Sequence, residues 1–384
     1  MMTVFPNRQS VLVVGRDFPI ANSNGSATHM RSLLDYLYLN GVDVYFLHLG
    51  SNSLKSYDLP SCKQVIVADC VEKCLNFDDL PTKMEIDCFV KTVSAIQPQN
   101  IIVDYSWLSI LYDYIPKNLG QKRIVFCHDL RTHIIPSFEQ MGFIHHGNIW
   151  SEQNEGALLR KAHAVLVLHD GDEETIKLMA PDVKIIRIGI AAQPKLCLLT
   201  SETPGRCLYL GSNVPENLFA IAWLINNVWP IVRSNIAHAS LSICGGVCDG
   251  FPSIFSPTID VRSFMEEYGI RLEGRVNDLK QSYAQSCLSL IPHWMNGGIK
   301  LKLVESLAHG RAIVGTSRGL DGIKSVVGRC GLEADDPTAF AQNIITLLQN
   351  DELRHKMHTN ALYLAIEELN SDKAYSSLLN FIKY

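Results

Sequence analysis

The chain has 384 residues, 47% hydrophobic and 19% charged, with 34 Lys and Arg against 39 Asp and Glu for a formal net charge of -5. At about 150 residues per domain this leaves room for roughly two to three domains, each long enough to bury its own core. Wholesale disorder is excluded, and the slight acidity argues against a nucleic-acid binder, whose surface carries a basic surplus, while leaving room for a local phosphate pocket.

Short apolar runs recur along the chain, most of them followed by helical spacing. Ser10–Gly15 reads as a buried strand, and residues 29–40 place Met30, Leu33, Leu34 and Leu37 on one side of a helix that Gly41 stops. Further strands are predicted at residues 42–49, 64–68, 100–103, 123–127, 163–168 and 183–188. Residues 191–205 are irregular, carry Pro194, Thr203, Pro204 and Gly205, and read as a linker and hinge. The pattern then restarts with a strand Arg206–Leu210 and a helix over 217–232. Strands Ser240–Cys244, 270–273, 286–291 and Ala312–Gly315 follow, and then a helical tail over 337–384 that breaks near Asn370. Strands alternating with helices predict an α/β chain of two Rossmann-like, doubly wound parallel-sheet domains facing a cleft. The domains fall at residues 1–195 and 196–370, and 371–384 form a helix that packs back on the first domain.

The 11 cysteines are scattered, form no CxxC pair and sit mostly in apolar stretches, as reduced thiols of a cytoplasmic protein would. They offer no zinc-binding cluster. The first ten residues lack the apolar core of a signal peptide, and the apolar run over 219–232 is broken by Asn226, Asn227 and Pro230, too short to span a bilayer. Contact with a membrane surface stays open.

Residues 292–316 are the most informative. A strand ends at Pro292, and a glycine turn, Gly297-Gly298, opens a helix that runs to Gly310. At about 100° per residue Leu301, Leu303, Val304, Leu307 and Ala308 form an apolar side, and Lys302, Glu305, Ser306 and His309 a polar one. A glycine turn entering a helix presents free N–H groups to an anion. Lys302 stands in the first turn, where the helix dipole disfavours a cation, which points to a bound phosphate. Glu305, one turn on, is placed to accept hydrogen bonds from vicinal hydroxyls such as those of a ribose. A solvated amphipathic helix with an incidental Lys–Glu pair is the alternative.

With the upstream segment Gly274-Arg275-Val276-Asn277-Asp278-Leu279, this stretch resembles the carboxyl-terminal half of family 4 glycosyltransferases. Leu208 to Asn217 (LYLGSNVPEN) is similar to the first strand and helix of that half. In the amino-terminal half Asn24-Gly25-Ser26, Cys127-His128-Asp129 and the run from Glu155 to Val165 match more loosely. The resemblance runs from about Val11 to about Leu348. It implies the GT-B fold, an acceptor-side first domain and a nucleotide-sugar-binding second domain. It also implies transfer with retention from a nucleoside-diphosphate sugar to a hydroxyl acceptor: a glycan, a lipid-linked sugar or a small molecule. Many members carry two glutamates eight positions apart; the second matches Glu305, but the first position is Gly297, as in a branch whose lysine matches Lys302. The usual cations after the first strand are absent from Gly211-Ser212-Asn213.

Donor binding is therefore expected at Gly25, Gly211, Asn217, Arg275, Gly297, Gly298, Lys300, Lys302 and Glu305. By helical angle Lys300 lies on the apolar side, which favours Lys302 as the phosphate ligand. Cations and N–H dipoles stabilise the departing diphosphate, whose oxygen helps deprotonate the acceptor, so neither a protein base, a metal nor a cofactor is expected. His128 matches a residue that contacts the donor sugar, with a satisfied strand-end histidine as the alternative; Asp129 either binds acceptor or caps a turn. The catalytic set is His128, Asp129 and Lys302.

Two rivals remain. Gly315-Thr316-Ser317-Arg318-Gly319 satisfies the serine-hydrolase elbow pattern, with Asp335 and His355 following in order, but Gly319 to Gly322 reads as a turn rather than the required helix. A non-catalytic nucleotide-sugar binder is the other, because the first glutamate is missing. No dinucleotide fingerprint or P-loop is present.

Overall fold

Ser10–Gly15, the first apolar run, is strand β1, and Val11, Leu12, Val13 and Val14 are buried on both of its faces. Burial on both faces is the condition of a parallel strand covered by helices. The computed structural model describes residues 8–20, 25–50, 58–68, 76–116, 119–143, 150–195, 202–276, 278–323 and 325–384. They divide into a first unit (residues 1–136, 144–191 and 371–384) and a second (137–143 and 192–370).

The first unit holds β1, β2 (Asp43–His48), β3 (Gln64–Val67), β4 (Asn100–Asp104), β5 (Lys122–Cys127), β6 (Ala164–Val167) and β7 (Lys184–Arg187). They form a seven-stranded sheet in the order β3-β2-β1-β4-β5-β6-β7, parallel throughout. The order reverses between β1 and β4, where Val11 lies beside Val44 on one side and Asn100 on the other. Beyond such a reversal the carboxyl ends of the strands leave a crevice for ligand. Helix Ser371–Lys383 belongs to this unit: Tyr375, Leu378 and Ile382 are buried, and the Tyr36 hydroxyl donates to Asp372 at 3.1 Å.

The second unit repeats the plan with β8 (Arg206–Leu210), β9 (Ser240–Cys244), β10 (Ile270–Gly274), β11 (Leu288–Ile291), β12 (Ala312–Gly315) and β13 (Gly331–Glu333). The order is β10-β9-β8-β11-β12-β13, again parallel, with the reversal between β8 and β11. Its core is built on Tyr209, Ile221, Trp229, Leu241, Ile243, Phe251 and Phe340. Among the described residues no helix is long and apolar enough to cross a membrane.

Both sheets match the predicted α/β class, and three differences in detail have physical causes. The helix predicted over 217–232 is Pro215–Trp223, then a π-helical stretch Leu224–Val228, then Trp229–Asn235. Pro230 has no N–H to donate to Asn226, and the Trp229 N–H reaches back to the Leu224 carbonyl instead. The helix expected to open at Gly297-Gly298 begins at Leu301, because both glycines have left-handed φ, 78° and 60°. The helical tail has a second break at Asn350, whose side chain caps the next helix through the Leu353 N–H.

Candidate functional site

Each sheet gathers polar side chains at its strand-order reversal. In the second unit β8 ends at Leu210, and Gly211 begins a turn that leads to helix Pro215–Trp223. A Cβ on Gly211 would lie 3.3 Å from the Asn217 side chain, and one on Gly245 would lie 2.3 Å from the Gly211 carbonyl oxygen. Backbone fills this corner, and only glycine permits it. Asn217 donates through Nδ2 to the Ser212 carbonyl at 3.1 Å, which leaves Oδ1 to accept from Lys302 Nζ at 2.8 Å. The ammonium also lies 4.8 Å from the centre of the Tyr209 ring, whose hydroxyl donates to the Asn217 carbonyl at 3.0 Å.

Lys302 is thus a half-buried cation held at the end of β8, where Gly211-Ser212-Asn213 supplies none. Burial pushes its ammonium down to about 7, with Glu216 opposing and Lys300 adding to the shift. Arg275 faces the same loop from β10: a Cβ on Gly246 would be 3.0 Å from Arg275 Nη2 and 3.1 Å from the Asn213 backbone nitrogen. Its guanidinium is exposed and donates to Asp249 at 3.4 Å. Lys300 donates to the Gly297 carbonyl and closes the glycine turn on itself. A glutamate at 297 would have to adopt φ 78°, so this turn and the first glutamate of the commoner family pattern do not combine without strain.

Lys302, Glu305, Ser306 and His309, expected as one polar side of the helix, divide into half-buried Lys302 and Glu305 and buried Ser306 and His309. Ser306 is buried, shares a 2.6 Å hydrogen bond with Ser289 of β11 and donates to the Lys302 carbonyl. His309 is buried and stacked on Tyr283 at 4.2 Å, with Nδ1 donating to the Glu305 carbonyl at 2.8 Å. The Glu305 carboxylate accepts from Lys195 Nζ at 3.3 Å, and Lys302 turns to Asn217. The structure therefore brings Gly211, Asn217, Lys302 and Arg275 to one loop and gives Glu305 separate partners.

In the first unit β4 ends at Asp104 and β5 at Cys127, so Asp104 and His128 emerge at neighbouring strand ends. His128 Nε2 lies 2.8 Å from Asp104 Oδ1, and both side chains are buried. Burial raises the Asp104 carboxyl pKa, opposed by His128. Between them runs Tyr105 with φ 68° and ψ 159°, a region that side-chain-bearing residues enter at a cost of about 1–3 kcal/mol. Its ring stacks on Trp107 at 4.4 Å and tilts against His128 at 4.9 Å. Gly25 opens helix Gly25–Leu39, Ser26 donates to Asp17 at 2.9 Å, and Asn24 lies outside the described residues. Asp129 accepts from the Cys127 thiol through its carbonyl at 3.3 Å.

Glu155, read in the sequence only as part of a family segment, is fully buried and accepts four hydrogen bonds. They come from the Ser106 hydroxyl, the backbone N–H groups of Arg131 and Thr132, and the Thr132 hydroxyl, at 2.9 to 3.1 Å. It caps helix Arg131–Gln140 from another helix and fixes the residues that follow both Asp104 and His128. Asp104 and Tyr105 carried no motif; the signal for them was an aspartate directly after the apolar run Ile101 to Val103. The hydrolase pattern fails on different grounds from those expected. A short helix, Ser317–Leu320, does follow, but the Ser317 hydroxyl donates directly to Asp335 at 2.8 Å, and His355 stands 4.0 Å from Glu202.

Residues 204–350 match the family described as "Glycosyl transferases group 1". A Klebsiella pneumoniae protein described as an uncharacterized 44.6 kDa protein in the cps region is 27% identical over 167 residues. That stretch covers 43% of this chain and 42% of the relative, so the chain matches about two fifths of the relative's length. Among solved structures, S. aureus TarM bound to fondaparinux, alpha-GlcNAc-glycerol and UDP is similar at a TM-score of 0.76 and 11% identity, covering 98% of this chain and 100% of TarM. Sucrose-phosphate synthase from Thermosynechococcus elongatus is similar at a TM-score of 0.74 and 15% identity, covering 98% of each chain. The chain thus has the two-sheet GT-B fold, and its residues 204–350 match the group 1 glycosyl transferases.

Proposed function

We propose that the protein is a retaining glycosyltransferase of family 4 that moves a sugar from a nucleoside-diphosphate sugar to a hydroxyl acceptor. The observation that carries the reading is Lys302, a half-buried lysine whose ammonium is held by Asn217 at the carboxyl end of β8. A lysine partly withdrawn from water beside only neutral hydrogen-bond partners carries a desolvation cost, and an anion at that loop would repay it. Arg275, the Gly211 turn and the Gly297-Gly298 turn surround the diphosphate in this reading, and no metal or cofactor is called for. UDP in the TarM structure and the cps region of the Klebsiella relative favour a uridine nucleotide and a cell-surface glycan or lipid-linked acceptor, reached from the cytoplasm at the membrane surface.

The test is a panel of nucleotide sugars read by thermal shift and by release of nucleoside diphosphate with and without acceptors. Stabilisation by one donor together with transfer supports the reading. Stabilisation with no release on any acceptor favours the non-catalytic binder, and no stabilisation by any donor overturns both.

Two substitutions refine it. Glu305→Gln is expected to weaken nucleoside diphosphate binding by about 1–3 kcal/mol, the loss of a charge-assisted hydrogen bond to ribose. Unchanged affinity in calorimetry would leave Glu305 as the partner of Lys195 alone. His128→Ala is expected to lower turnover more than nucleotide affinity, because it acts on the sugar rather than the diphosphate. Loss of folding would return His128 to the role of a strand-end core residue.

A further inference from the structure

The Asp104–His128 pair has a consequence in proton positions. A buried carboxylate at 2.8 Å from an imidazole nitrogen requires a hydrogen between them. With that hydrogen on His128 Nε2, the neutral ring carries a lone pair at Nδ1. Among the described residues no hydrogen bond is made at Nδ1. The ring is fixed from several sides, by Phe126 stacked at 3.9 Å, Tyr105 at 4.9 Å and His29 edge-on at 5.6 Å. His29 adds no competing cation: burial, and next His128, push it down to about 3, and its Nε2 donates to the Gly189 carbonyl at 3.0 Å.

We infer that Asp104 is a positioning residue that sets the tautomer of His128, so that Nδ1 accepts a hydrogen bond from a ligand hydroxyl. The inference rests on the glycosyltransferase reading for the identity of that hydroxyl, a sugar hydroxyl. The bound group must be a hydrogen donor: a neutral imidazole with this tautomer turns only a lone pair outward and repels a carbonyl or phosphate oxygen. Two features of the backbone support a built site. Tyr105, between Asp104 and the Ser106 anchor, is held at φ 68° and ψ 159°, and such strain persists only where surrounding contacts enforce it. Glu155 supplies that enforcement through Ser106 on one side and Arg131 and Thr132 on the other. The pair also sits at the carboxyl ends of β4 and β5, beside the reversal in strand order.

The experiment is a long-range proton–nitrogen spectrum of the full chain labelled at histidine, recorded above neutral pH without ligand, for wild type and Asp104→Asn. His128→Gln identifies the signal. Wild type is expected to show a proton on Nε2 and a bare Nδ1. A proton on Nδ1 overturns the inference, and this arm does not depend on whether any variant folds. Asp104→Asn is expected to populate the opposite tautomer, because the amide can donate to Nε2; an unchanged tautomer overturns the role of Asp104. Turnover of Asp104→Asn should fall roughly tenfold or more with little change in donor KM, as a misplaced imidazole proton does elsewhere. Equal loss in KM and kcat with the wild-type tautomer intact would mark a structural role only. Absence of transfer by wild type would sink the functional reading while the nitrogen spectrum still decides the tautomer.

Discussion

Nucleoside diphosphate affinity is expected to weaken as the pH is raised above about 7, by up to about tenfold per pH unit, and Lys302→Met is expected to remove that slope. The free ammonium is half charged near neutrality because burial has lowered it, while the diphosphate requires it charged. Binding above that pH must therefore take up a proton. Calorimetry in buffers of different ionisation enthalpy counts that proton directly. A slope that survives in Lys302→Met would move the phosphate contact to Lys300 or Arg275. Stability should change in the opposite sense. The folded-state pKa is depressed from 10.5, so between about 7 and 10.5 the unfolded chain holds a proton that the folded chain has released, and folding gains stability as the pH rises through that window. Below it the folded state carries the full cost of withdrawing the charged ammonium from water. After the lost bond to Asn217 and contact with Tyr209 are set against this, Lys302→Met should be more stable than wild type at neutral pH by about 1–3 kcal/mol. Urea unfolding would show it, and a destabilised variant would mean that the ammonium is better solvated than its burial indicates.

Glu155→Ala is the substitution expected to damage the first unit most, by about 3–5 kcal/mol in denaturant unfolding. It would strip acceptors from two backbone N–H groups and two hydroxyls at once, in a place with no exposure to water. Glu155→Gln keeps one acceptor oxygen but turns an NH2 toward donors, and should cost about half as much. If Glu155→Ala unfolds like wild type, the start of helix Arg131–Gln140 is anchored by other groups, such as Arg131 against the Trp107 ring at 4.7 Å.

The strands were legible because residues such as Val11 to Val14 and Ile101 to Val103 form unbroken apolar runs, the mark of parallel strands covered on both faces. Gly331–Glu333 was not, since three residues offer no periodicity to read. Lys302 was legible as a first-turn cation, but its partners were not. Helical angle assigned it to the polar side, and the groups it meets, Tyr209 and Asn217, lie 85 residues or more away in sequence. The Asp104–His128 pair escaped for the same reason: it exists only because β4 and β5 are neighbours, which alternation of strands and helices does not specify.

Helix Ser371–Lys383 gives the chain an order of events. The first unit is assembled from residues at both ends of the chain, whereas the second, apart from residues 137–143, is one continuous stretch. As the polypeptide leaves the ribosome, β1 to β7 are available early, yet the buried places of Tyr375, Leu378 and Ile382 stay empty until the residues after Asn370 emerge. The second unit has by then been synthesised in full, so the half of the molecule made first is the half completed last.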